Sequence, residues 1–253
     1  FGSSLREEVS LMIPNIEPFK IRRLNKALDD FQKKRLMEEW PGWFDLKESP
    51  ARLEKALELL AQYQSGLEYQ KPLKELLDEL AGEYRGEFAE PDAHQLAGFL
   101  FQAKKFKGNS VDYYNPQNSN LYFVITEGLG IPISLACVYI LVGARLGLKI
   151  EGCAIPGHFL ARIEPEGKKV LVDCFYGGRL MDLQDALELG TASKEEIEAG
   201  MKVKADSAAI IRRILNNLIR SYQLNEQTDN RRLMMDLLKM LDKRIGAEQL
   251  DAF

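Results

Sequence analysis

Cysteine is scarce in this chain of 253 residues. The three present, Cys137, Cys153 and Cys174, have spacings that match neither a disulfide framework nor a zinc ligand set. That scarcity fits a reducing compartment, and a bacterial cytoplasm is the plain expectation. Histidine is scarcer still, with only His94 and His158. One imidazole and one carboxylate fall short of the three ligands a catalytic metal needs, so neither a metal nor another cofactor is expected. Charge of one sign is also lacking. A net charge of -4 gives no general attraction for nucleic acid or for an anionic membrane surface. No apolar run approaches the roughly 18 unbroken residues of a membrane span. Neither a signal peptide nor a lipidation motif is apparent, and Phe1-Gly2-Ser3-Ser4 reads as a tag remnant or a frayed end.

What the chain does contain is ordinary for a globular protein, 45% hydrophobic and 28% charged, with length for one sizeable core or two smaller ones. Its most distinctive stretch is GIPISLACVYILVGARLG, residues 130–147. Pro132 suits the first turn of a helix, where its missing N–H is no loss, and Gly147 suits the stop. Between them the residues are apolar on nearly every side. A helix of that kind is wrapped by other elements rather than laid on a surface.

Residues 5 to about 106 read as helices. Lys20 to Arg35 is basic and amphipathic, with Asp29 and Asp30 interrupting the charge, as on a solvated helix face. Trp40-Pro41-Gly42-Trp43 marks a break. Ser49-Pro50 opens a helix whose Leu53, Ala56, Leu57 and Leu60 share one stripe. Pro72 starts another, and Asp92 with Gln95 is a candidate capping box ahead of Leu96, Phe99 and Leu100. His94 lies in that helical pattern with no partner to name and is read as structural or exposed. From Gly108 to Asn120 the chain turns polar and aromatic, and Asn118 or Ser119 is expected to cap a short helix reaching about Gly128. Strand-like runs follow at 149–155, 158–163 and 169–175, punctuated by Pro156-Gly157, Pro165-Glu166-Gly167 and Gly177-Gly178. Ser193 with Glu196 is a second capping box. Two amphipathic helices are expected at roughly 206–224 and 229–244. An antiparallel pair of this sort is the unit of tetratricopeptide-like arrays, although one pair does not make a repeat.

The Pro156-Gly157 corner delivers His158 onto the start of a strand, and the next strand ends in Val170-Leu171-Val172-Asp173. Register decides whether the two meet. A two-residue loop pairs Glu164 with Gly167 and sets His158 opposite Asp173, with Cβ atoms about 5 Å apart. A three-residue loop with glycine in the left-handed position puts Cys174 there instead and turns Asp173 to the other face. An acid at an apolar strand end needs a donor, which favours the first register, with a bulge if necessary. An Asp that orients a His is a general-base arrangement, and it is equally a polar structural clamp.

Several pieces, in order, carry a resemblance. They are Gly108-Asn109, Asp112-Tyr113-Tyr114, Pro116, Asn118-Ser119, GIPISL (130–135), Arg145-Leu146-Gly147-Leu148, PGHFL (156–160), Asp173-Cys174-Phe175-Tyr176-Gly177-Gly178 and Ile214-Leu215-Asn216-Asn217-Leu218. The run from about Phe101 to Tyr222 resembles the SirB-type proteins of bacteria, transglutaminase-like domains often followed by tetratricopeptide-like helices. The resemblance implies an α+β fold: a helix-rich chain with a papain-like core, in which a central buried helix packs on a small antiparallel sheet. It divides the chain into an N-terminal helical region (1–107), the transglutaminase-like core (108–190) and C-terminal helices (191–253).

In active relatives a Cys at the N-terminus of that helix works with a His and an Asp from the sheet. His158 and Asp173 match the second and third members. The nucleophile position falls at Pro132, which offers neither thiol nor hydroxyl. Cys137 lies five residues on, about 140° round the helix and about 7.5 Å along it, so it points into the core. Cys174 faces away from His158 in the favoured register, and Cys153 sits on a buried strand. Ser134, in the first helical turn, is either a substitute nucleophile or a satisfier of a free backbone amide. The reading that follows is a non-catalytic binding or regulatory scaffold with a protein partner. Tyr114, Asn118, Ser119 and Ser134 are candidates to line the vestigial cleft. The rival is an acyl-transfer enzyme (protease, amidase or transglutaminase-like) using Ser134 or Cys137, and a third reading is a helical adaptor.

Overall fold

The computed structural model describes residues 18–66 and 71–250. Phe1-Gly2-Ser3-Ser4 lies outside the described residues. The fold is α+β, rich in helix, with a four-stranded antiparallel sheet. In chain order the elements are α1 (Pro18–Glu39), α2 (Pro50–Ser65), α3 (Leu73–Glu87), α4 (Ala93–Gly98), β1 (Lys107–Gly108), α5 (Leu121–Glu127), β2 (Leu129–Gly130) and α6 (Pro132–Arg145). They continue with β3 (Glu151–Ile155), β4 (His158–Ile163), β5 (Val170–Asp173), β6 (Arg179–Met181), α7 (Leu183–Glu188), α8 (Lys194–Lys202), α9 (Ser207–Leu224) and α10 (Thr228–Leu250).

The expected central helix is α6, and every residue from Pro132 to Gly143 in it is buried. It is wrapped because its composition leaves no face that water would stabilise. Around it a single large core gathers Trp40, Trp43 and Leu57 from the N-terminal part, Phe159, Ala161 and Val172 from the sheet, and Ile214, Leu218 and Leu237 from the C-terminal helices. The other face of the sheet has its own smaller core. There Cys153, Leu160, Leu171 and Met181 meet Ala186 of α7 and Ile197 of α8. A sheet covered on both faces explains why β4 is buried at every position after His158.

Helix ends follow from local chemistry. The Ser49 hydroxyl accepts from the Arg52 N–H, and Ser193 and Glu196 form a reciprocal capping box. Asp92 makes only half of one. Its carboxylate accepts from the Gln95 N–H, but the Asp92 N–H donates to the Tyr84 hydroxyl rather than to Gln95. The cap of α5 is Asn120, whose side chain accepts from the Tyr122 N–H; Asn118 and Ser119 lie in the short turn before it. Trp40–Trp43 is a tight turn with both indoles buried. Among the described residues no helix is long and apolar enough to cross a membrane, and no three His, Cys, Asp or Glu side chains cluster as a metal site would require.

Candidate functional site

His158 is placed by the β3–β4 hairpin. Ile155 pairs with His158 across the two-residue corner Pro156-Gly157, and Gly157 takes φ +74°, a conformation glycine adopts without strain. Asp173 ends β5 and governs the loop that follows. Its Oδ1 accepts from the Phe175 N–H at 3.0 Å and the Tyr176 N–H at 3.2 Å, while its carbonyl accepts from the Gly178 N–H at 2.8 Å. The remaining oxygen, Oδ2, stands 3.0 Å from His158 Nε2.

The contact forms in a register other than the expected one. Ile163 pairs with Val170, Arg162 with Leu171 and Ala161 with Val172. Continued along the strands, this puts Leu160 opposite Asp173. The reason is the loop: Pro165–Gly167 forms a 3-10 turn with Glu166 at φ +51° and Gly167 at φ +78°, closed by the Lys168 N–H on the Pro165 carbonyl. β5 is thereby slipped by two residues. A slip of two keeps every side chain on its face, so His158 and Asp173 meet diagonally instead of directly.

The two members of the pair differ in access. The Asp173 side chain is 1% exposed and the His158 side chain 11%. Contact with a carboxylate oxygen makes Nε2 the donor nitrogen and leaves Nδ1 as acceptor in the neutral ring. Among the described residues no thiol or hydroxyl hydrogen-bonds that second nitrogen. The Tyr176 ring stands 6.5 Å from the imidazole, centroid to centroid.

The start of α6 reaches the strand end through backbone. Gly108 pairs with Gly130 in the parallel β1–β2 bridge, and its N–H donates to the Phe175 carbonyl at 3.0 Å. A Cβ on Gly108 would fall 2.4 Å from the Phe175 ring, and one on Gly130 would fall 2.7 Å from Ser134 Oγ. Only glycine permits these approaches.

On the helix side the polar groups face inward. Ser134 is fully buried; its hydroxyl donates to the Asn118 carbonyl at 2.6 Å and accepts from the Ile131 N–H at 3.1 Å. Asn118 is fully buried too. Its amide nitrogen donates to the carbonyls of Asp112 and Tyr113, and its oxygen accepts from Asn109 Nδ2. Ser119 is buried, whereas Tyr114 is 47% exposed. His94 is exposed on α4. Burial pushes the Cys137 thiol up, and it pushes Cys153 up to about 11. Cys174 is raised chiefly by burial and further by the Asp173 carboxylate. All three stay protonated at neutral pH, the form that does not attack.

The sequence marks Tyr113 and Tyr176 only as pieces of the resemblance and does not mark Arg213 beside the pair. Tyr176 could have been placed near the pair, since it follows Asp173 in a glycine-punctuated loop. Arg213 could not, because only the packing of α9 brings it to the Ile155 carbonyl. A cavity of about 930 Å³ lies elsewhere, between Gln32, Tyr63, Gln64, Pro116, Tyr222 and Asn230. It holds none of the pair's chemistry.

The model of the transglutaminase-like superfamily matches residues 68–216. A UPF0162 protein of Xylella fastidiosa is 36% identical over 137 residues, covering 52% of this chain and 49% of that protein. A UPF0162 protein of Pseudomonas aeruginosa is 29% identical over 178 residues, 68% of this chain and 65% of its own length. F-box only protein 21 of Mus musculus is 44% identical over 63 residues, 25% of this chain and 10% of that protein. The chain thus spans about half the length of the Xylella relatives it matches. No solved structure matches.

Proposed function

Because the chain belongs to the transglutaminase-like superfamily, we propose that it is a non-catalytic binding or regulatory scaffold in which Pro132 stands at the nucleophile position. The observation that carries this reading is the missing partner of His158: the imidazole is oriented by Asp173 at 3.0 Å, yet no attacking sulfur or oxygen hydrogen-bonds it among the described residues. An orienter and a base without a nucleophile lack the first step of acyl transfer. What remains is a polar clamp at the strand end.

The acyl-transfer alternative would use Ser134 or Cys137. Against it stand the Ser134 hydroxyl, committed to Asn118 and Ile131, and the Cys137 thiol, fully buried and held protonated. The finer SirB-type affinity and a tetratricopeptide-like role for α9 and α10 belong to the same proposal. That antiparallel pair would offer the surface for a protein partner.

The test is intact-mass analysis after incubation with a fluorophosphonate and with p-nitrophenyl acetate, in wild type and in His158→Ala. The scaffold predicts no adduct that depends on His158. A stoichiometric adduct that vanishes in His158→Ala would require the enzyme reading instead.

A further inference from the structure

Arg213 lacks what Arg145 and Arg162 have. Arg145 is held by Glu54 at 2.9 Å and by Asp78 at 2.6 Å, and Arg162 by Glu151 and the Met201 carbonyl. Arg213, half-buried on α9, has no carboxylate partner among the described residues. Its Nη1 reaches the Ile155 carbonyl at 3.5 Å, and its guanidinium carbon stands 5.8 Å from the centroid of the Phe159 ring. Burial lowers its pKa from the ordinary arginine value, and the Tyr113 phenol is the group that opposes this. A cation withdrawn from water without a counter-charge is costly, and an anion brought to it recovers the loss.

Its surroundings describe the rest of the ligand. The Tyr113 phenol acts on the Arg213 charge, and its ring begins a chain of aromatic contacts towards His158. That ring packs 5.3 Å from Tyr114 and 5.9 Å from Phe175; Phe175 lies 5.1 Å from Tyr176, and Tyr176 lies 6.5 Å from His158. The circuit closes through the Ile155–His158 pair, whose Ile155 carbonyl carries Arg213. Three of these rings are open to solvent, Tyr113 at 39%, Tyr114 at 47% and Tyr176 at 67%. Phenol faces beside a lone guanidinium make a platform for a flat or apolar body with an oxyanion at one end.

We propose that the surface bounded by Arg213, Tyr113, Tyr176 and His158 binds an organic carboxylate, with the carboxylate on the Arg213 fork and an aromatic body on the exposed tyrosine rings. This rests on the reading that the cleft binds rather than cuts.

The experiment is a calorimetric titration of the full chain with N-acetyltyrosine, N-acetyltyrosinamide and inorganic phosphate, with acetate release followed in the same samples. The acid binds saturably, and the amide, which lacks the charge, binds about tenfold more weakly. Arg213→Gln weakens the acid by about the same factor and leaves the amide unchanged, while Arg213→Lys, keeping charge but not the fork, falls between. Tyr176→Ala, at an exposed position outside the core, weakens acid and amide alike. The assignment fails if the amide binds as tightly as the acid, if Arg213→Gln changes nothing, if phosphate binds more tightly than the acid, or if nothing binds. None of those outcomes touches the scaffold reading. Acetate release that depends on His158 would sink the scaffold reading and leave the Arg213 assignment standing.

Discussion

The helix wall and the strand wall of the candidate site treat their polar groups in opposite ways. On the helix wall, Ser134 and Asn118 are fully buried and bonded to backbone. On the strand wall, Asp173 is saturated by two N–H groups and an imidazole, but among the described residues His158 Nδ1 has no hydrogen-bond partner and Arg213, on the Ile155 carbonyl, has no carboxylate. The difference shows where the fold uses polarity to hold itself and where it leaves polarity over. A side chain committed to its own backbone is part of the scaffold. One held in place with a free face is available to something else.

Substitutions can break this contrast, and the largest effect is expected at Asp173. Removing the carboxylate in Asp173→Ala leaves the Phe175 and Tyr176 N–H groups and the imidazole without their acceptor, at a cost of about 3 kcal/mol in a urea melt. Gly130→Ala comes next, at about 2 kcal/mol, because the new methyl overlaps Ser134 Oγ, with Leu135 Cγ also close, at 3.1 Å. Ser134→Ala should cost about 1.5 kcal/mol by freeing the Asn118 carbonyl and the Ile131 N–H. In the double variant the two losses should add to less than their sum, since removing Oγ relieves the overlap. His158→Ala should cost about 1 kcal/mol, because Asp173 keeps both backbone donors and water can enter at the rim. The smallest effect is expected at the thiols. With Cys153 at about 11, about one part in a thousand is thiolate at pH 8, so iodoacetamide leaves the native chain unlabelled under conditions that label it fully in urea.

The helix wall was the more legible of the two in the sequence. An all-round apolar stretch between Pro132 and Gly147 admits one structural solution, and α6 takes it. The Ser49 cap and the Ser193–Glu196 box were equally readable, because each depends on residues three apart. The strand wall was legible only in part. The meeting of His158 and Asp173 followed from the chemical need of a buried acid, but the register did not, since a left-handed Glu166 is a choice that residue type does not announce. Asp182 with Asp185 caps α7 reciprocally, and two acids three residues apart are a local signal of it. The two-residue strands β1 and β2 carry none at all, because two parallel pairs are too few to show a periodicity. Arg213 depends on contacts some 58 residues apart. No local pattern encodes those.

In the proposed scaffold, Pro132 fills the place of an attacking thiol beside the His158–Asp173 pair. The most direct measurement is the alkylation rate of Pro132→Cys at pH 6, compared with Pro132→Cys/His158→Ala. The account predicts a new thiol that reacts about tenfold faster when His158 is present, because the imidazole stabilises the thiolate. A new thiol that reacts no faster with His158 than without it would contradict the account and place the cleft's missing group elsewhere.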